Sequence, residues 1–173
     1  MVRCFIAINL PSEIKDKILS ISKSIHTDVV RLVKPENLHI TLKFLGEVGE
    51  DQVEEIKTKL SSISFSPFIL PIEGIGVFPN ENYVKVVWIG CKSDELEKLS
   101  DEMEKLLGKS DRQFTSHLTI ARVTKKINMT YFLEKNKNLK VGDIQINSFE
   151  LMKSELTPSG PIYTKLAIFK AQN

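Results

Sequence analysis

The chain has 173 residues, 42% hydrophobic and 27% charged, with a formal net charge of +2. The length suits one domain, 1–173, with a sizeable core, and the charge is too small for a general nucleic-acid binder. No apolar run reaches the length of a membrane span and no signal peptide is visible in Val2 to Leu10, so the expected compartment is the cytoplasm. Cys4 and Cys91 are far apart in apolar strand patterns, and a disulfide is not expected in a reducing compartment.

In chain order, Val2 to Leu10 reads as a strand ended by Pro11. Ser12 is a candidate cap for a helix with the stripe Ile14, Ile18, Ile21 and Ile25. His26 falls at its end and is given no catalytic role. Val29 to Val33 reads as a short strand and Lys34 to Asn37 as a turn. A strand follows from Leu38 to Leu45, then an amphipathic helix from Asp51 to Leu60. Phe68 to Phe78 is a strand region where Gly74 and Gly76 suggest a bulge or a close approach. Pro79 to Asn82 is a hairpin turn, and Tyr83 to Cys91 returns with Val84, Val86 and Trp88 expected on one face. Ser93 caps a helix with the stripe Leu96, Leu99, Met103, Leu106 and Leu107, stopped by Gly108. Lys109 to Thr115 is a polar connection and His117 to Val123 a strand. Lys125 and Lys126 lie in a polar loop, and Met129 to Glu134 is a short helix. Leu139 to Lys153 reads as one extended strand, Thr157 to Pro161 as a turn and Ile162 to Phe169 as the last strand. The pattern is α+β: two pseudo-symmetric lobes, each a mostly antiparallel sheet backed by helices.

One short pattern occurs twice. Leu38-His39-Ile40-Thr41-Leu42 returns 78 residues later as Ser116-His117-Leu118-Thr119-Ile120. The chain has only three histidines, and two of them open this pattern. In a strand, residues i and i+2 share a face. His39 and Thr41 therefore face one way, as do His117 and Thr119, with the aliphatic residues turned to the core. A pair of buried, hydrogen-bonded strand histidines is the bland alternative. It fits either copy alone better than it fits both.

With these motifs the chain resembles the two-histidine phosphoesterases, and more closely the RNA 2',3'-cyclic phosphodiesterases, long called 2'-5' RNA ligases. Glu36 to Val48 resembles the family's first motif and His117 to Val123 its second. Arg3 to Ile8, Val86 to Gly90 and Gly160 to Tyr163 are further local matches. The resemblance implies two lobes facing across an active-site cleft, with one motif strand each. It implies His39 as proton donor toward the ribose 3' oxygen and His117 as proton acceptor from water, giving a 2'-phosphate. The symmetry of the motifs by itself gives no preference between the roles. It also implies a substrate of RNA with 2',3'-cyclic phosphate ends, tRNA fragments among the candidates, for a monomeric enzyme without cofactor.

The chemistry fits the residue types. Imidazoles titrate near neutrality and can serve as acid and base on opposite sides of phosphorus. Thr41 and Thr119 can donate to the non-bridging oxygens. Arg122 matches a family arginine that could hold phosphate, although strict alternation puts it on the face opposite His117 unless the strand bulges or ends. Otherwise it makes a structural ion pair. Lys43 shares a face with His39 on the same rule and could line the cleft, or be a solvated strand-end charge. Phe5 and Tyr163 match family positions and could stack on a base, with core packing the competing role at Phe5. Two histidines without nearby Cys, Asp or Glu at ligand spacing do not make a zinc site, and no Gly-x-x-x-x-Gly-Lys phosphate loop is present. Two other readings compete: reversible 2'-5' ligation of RNA ends at the same site, and a non-catalytic RNA-end-binding module.

Overall fold

Among the residues that the computed structural model describes, 1–25, 27–109 and 114–172, nine strands and four α-helices follow one another. They are β1 (Val2–Asn9), α1 (Ser12–Lys23), β2 (Val30–Leu32), a single 3-10 turn (Pro35–Asn37), β3 (His39–Val48), α2 (Glu50–Ser61) and β4 (Phe68–Asn80). Then come β5 (Tyr83–Gly90), α3 (Asp94–Leu107), β6 (His117–Val123), α4 (Thr130–Asn136), β7 (Lys140–Ile146), β8 (Ser148–Thr157) and β9 (Gly160–Lys170). His26 and positions 110–113 of the polar connection lie outside the described residues.

The strands form two antiparallel sheets, β3-β1-β8-β9 and β2-β6-β5-β4-β7. Helices α2 and α3 cover the first sheet, and α1 and α4 cover the second. Each lobe is thus a sheet backed by helices, but neither lobe is one half of the chain. The segment expected as one strand from Leu139 to Lys153 breaks at Asn147. β7 pairs with β4 in the second sheet, while β8 pairs with β1 in the first. Apolar residues alternate on both sides of Asn147 and the phase slips between Ile146 and Phe149, but the slip does not tell which sheet each half joins.

Local signals explain the helix positions. Ser93 Oγ accepts from Leu96 N–H at 3.1 Å, a cap contributing about 1 kcal/mol. Leu96, Leu99 and Met103 follow on one buried face, and each fully buried side chain of this size stabilises by about 1.5–3 kcal/mol. At α1 the residue at the cap position is Pro11, and Ser12 is already helical without a side-chain cap bond. Leu38, just before motif strand β3, and Ile40 and Leu42 within it enter one continuous core, and β6 sends Leu118, Ile120 and Ala121 there. The two motif strands meet across the lobes. A second, small cluster of Phe5, Ala7 and Met152, with Tyr163 packed against it, lies on the other side of the first sheet.

Bulges fix which side chains reach that other side. Gly74 sits at a register shift of β4 with φ of 74°, the left-handed region open to glycine. In β5, Phe78 opposes Val86 and Pro79 opposes Val84, so Lys85 is an extra residue. Val84 is therefore buried with Val87 and Ile89, and does not share a face with Val86 and Trp88 as strict alternation requires.

Candidate active site

His39 opens β3 and His117 opens β6, and both rings are anchored in the same way. His39 Nδ1 is 2.7 Å from the carbonyl oxygen of Asn37, and His117 Nδ1 is 2.7 Å from that of Thr115. A carbonyl only accepts, so Nδ1 carries the hydrogen in both rings, leaving Nε2 to act on a ligand. His39 Nε2 lies 3.0 Å from Thr41 Oγ1. Aromatic rings hold each imidazole. Phe5 and Tyr163 stand 5.0 and 5.2 Å from His39, and Phe78 and Trp88 stand 5.1 and 6.5 Å from His117. Gly76 is required beneath Trp88, because a Cβ there would meet the indole at 2.1 Å.

Both motif strands carry one extra residue directly after the threonine. In β3, Ala7 opposes Thr41 and Ile6 opposes Lys43, so Leu42 is unpaired. In β6, Trp88 opposes Thr119 and Val87 opposes Ala121, so Ile120 is unpaired. A bulge of this kind reverses the alternation beyond it. Arg122 thereby returns to the face of His117 and Thr119, and its side chain is exposed. Its charge acts across the cleft, at His39 and at Tyr163 on the opposite lobe.

The same device turns Lys43 away from the cleft. It is buried, paired with Glu104 Oε1 at 2.6 Å, and donates to the carbonyl of Gly108 at 2.7 Å. The expectation that Lys43 lines the cleft is corrected: the bulge at Leu42 sends it to the helix side. Phe5 is corrected in part. At 4% exposure it has no free face for a base, and it packs between His39 and Tyr163, 4.9 Å from the latter. Tyr163 stays half-buried at the cleft edge.

In place of Lys43 the bulge presents Phe44, which is 71% exposed and 6.3 Å from the Phe5 ring. Sequence reasoning missed it. The usable signal was its spacing: Phe44 stands five residues after His39, as Arg122 stands five after His117.

Electrostatics fix the protonation state of His39. Burial pushes His39 down from 6.5 to about 4; the bond to Asn37 opposes this, and the charges of Lys15, Arg122 and His117 add to it. His39 is therefore neutral at pH 7. Burial also raises the Tyr163 phenol, against the charges of Arg122 and Arg3, so it remains a donor. Among the described residues no group of three His, Cys, Asp or Glu is placed to hold a metal ion, and no helix is long and apolar enough to cross a membrane.

Comparison with known proteins bears on this geometry. A family profile of LigT-like phosphoesterases matches residues 8–88, which include His39 and Thr41. The RNA 2',3'-cyclic phosphodiesterase of Archaeoglobus fulgidus is 39% identical over 98% of this chain and 100% of its own length. That of Methanocaldococcus jannaschii is 38% identical over 94% of this chain and 96% of its own. A crystal structure from Thermus thermophilus superposes with a TM-score of 0.85 at 27% identity, covering 97% of each chain. Escherichia coli LigT complexed with 3'-AMP shares the fold, with a TM-score of 0.84 at 24% identity over 99% of each chain.

Proposed function

The chain belongs to the LigT-like phosphoesterases, the family of the RNA 2',3'-cyclic phosphodiesterases, and we propose that its cleft hydrolyses RNA 2',3'-cyclic phosphate ends to 2'-phosphomonoesters without a metal ion. His117 Nε2 takes a proton from water as the oxygen attacks phosphorus. The bond to the 3' oxygen breaks on the opposite side, and His39 Nε2 gives that oxygen a proton. Water is consumed, and the products are a 2'-phosphate and a 3'-hydroxyl. Thr41, Thr119 and the Arg122 guanidinium donate to the non-bridging oxygens, where such groups stabilise developing charge most. Phe44 and Tyr163 flank the terminal nucleoside. The observation that carries this reading is the pair of imidazoles, each anchored at Nδ1 by a backbone carbonyl at 2.7 Å.

A neutral His39 is not yet an acid. The cyclic phosphate brings a negative charge beside a ring whose neighbours Lys15, Arg122 and His117 all disfavour protonation. An anion there favours the imidazolium, so the substrate recruits the proton that is later delivered. The low value at His39 also supports a second reading, with His39 as base and His117 as acid.

The enzyme acts as a cytoplasmic monomer on RNA ends, including those of tRNA fragments. Incubation with a dinucleotide ending in a 2',3'-cyclic phosphate, in excess chelator, tests the proposal. Phosphorus NMR should show a 2'-phosphomonoester. A 3'-phosphate product, or activity only after adding a divalent ion, would overturn it.

A further inference from the structure

The segment at the cleft mouth carries cations that the hydrolysis does not use. β2 is the edge strand of the second sheet, and Arg31 on it stands directly opposite Arg122. Both side chains are exposed, and no ion pair joins either to an acid among the described residues. Like charges directly opposite in an antiparallel pair are destabilising; with Arg122 engaged on the reacting phosphate, Arg31 is left to a second anion brought from outside.

The chain then runs from β2 toward the catalytic strand of the other lobe. Val33 N–H donates to the carbonyl of Ile120 at 2.9 Å. Lys34 follows, exposed, at the edge of a cavity of about 180 Å³ between the 3-10 turn and the tip of the β8–β9 hairpin. Asn37 ties this cavity to the site. Its carbonyl accepts from His39 Nδ1, and its Nδ2 donates to the carbonyl of Pro161 at 3.1 Å. Tyr163 forms part of the cavity wall and stands 5.2 Å from His39. The volume falls below the roughly 300–1,000 Å³ of sites for drug-sized ligands, and is of the scale of one planar ring.

We propose that this segment is the track of the RNA strand bearing the cyclic end. Phosphodiesters preceding the terminal nucleotide lie along Arg31 and Lys34, and the base next to the terminal one enters the cavity against Tyr163. Unpaired RNA bases are commonly held by aromatic stacking, and backbone phosphates by Lys and Arg. The ribose whose 3' oxygen is protonated lies on the His39 side of phosphorus, so its 5' linkage leaves the cleft past Lys34 and the cavity, and the strand then passes Arg31 on the second sheet. This inference rests on the reading of the cleft as a hydrolase of RNA cyclic ends with His39 facing the ribose.

The test compares a mononucleoside 2',3'-cyclic phosphate with an RNA tetranucleotide ending in the same group. The wild-type protein should favour the tetranucleotide in kcat/KM by about fivefold to a hundredfold, the range for one stacked base. The double substitution Arg31→Ala, Lys34→Ala should raise KM for the tetranucleotide about tenfold. It should also reduce the slope of log(kcat/KM) against log[salt] by about 1.4, two phosphate contacts at about 0.7 each. Ser159→Trp, at the cavity rim, should remove the remaining preference. Mononucleoside turnover should be unchanged in both variants. An equal loss on both substrates, an unaltered preference, or a wild-type protein that treats the substrates alike would overturn the track while leaving the hydrolase standing. Failure of the wild-type protein to cleave either substrate would remove the hydrolase and the track together.

Discussion

Replacing His39 by Gln should flatten part of the acid limb of the protein's stability. In the unfolded chain the imidazole titrates near 6.5, and in the folded chain burial holds it near 4. Between those values the unfolded chain binds the proton and the folded chain does not. Stability therefore rises with pH across this window, is complete above 6.5, and is lost as pH falls toward 4. With these two values the linkage amounts to about 2 kcal/mol at pH 5 and about 3 kcal/mol at pH 4, relative to pH 7. His39→Gln lacks the group and should show a shallower decline. Urea unfolding of both proteins at pH 4, 5, 6 and 7 gives the difference directly, because every other titrating group is shared. A negative charge in the cleft favours the imidazolium, so inorganic phosphate should shrink the wild-type slope. Wild-type and variant stabilities running parallel from pH 7 to pH 4 would refute the claim that burial keeps His39 neutral.

His39→Ala and His117→Ala should each lower kcat by about a hundredfold to ten-thousandfold, the usual contribution of a proton-transfer group, with far-UV circular dichroism unchanged. On a cyclic ester whose 3' leaving group is much more acidic than ribose, His39→Ala should recover most of its rate and His117→Ala should not; the opposite pattern would exchange acid and base. Thr41→Val and Thr119→Val should each cost about ten- to a hundredfold in rate, from the loss of a charge-assisted hydrogen bond of about 1.5–3 kcal/mol. Neutral substitutions would make these hydroxyls structural. Lys43→Met should lower the urea midpoint and leave KM unchanged. Its cost should be less than the about 3–5 kcal/mol of breaking a fully buried pair, since the Glu104 side chain keeps 23% of its exposure. A raised KM at unchanged stability would return Lys43 to the cleft.

By itself, the sequence determined the elements and the chemical inventory. Local periodicity marks α3 through Leu96, Leu99 and Met103, and its start through Ser93, because these signals act within one or two turns. The doubled His-x-Thr pattern sets each imidazole and its hydroxyl on one strand face, since i and i+2 share a face wherever the strand lies. Gly74 and Gly76 were legible as a bulge or close approach, and they provide one of each. Tertiary structure decided what depends on partners distant in the chain. Leu42 and Ile120 look like ordinary core residues, and become bulges only through the registers that β1 and β5 impose on the motif strands. Those two extra residues exchange the expected faces: Arg122 enters the cleft, Phe44 joins it, and Lys43 leaves for Glu104. Asn147 likewise separates two strands whose alternation slips between Ile146 and Phe149, and only their hydrogen-bond partners show that each joins a different sheet. The protonation of His39 also belongs to the fold. Desolvation and the charges of Lys15, Arg122 and His117 act through space, and in sequence these residues lie up to 83 positions from His39.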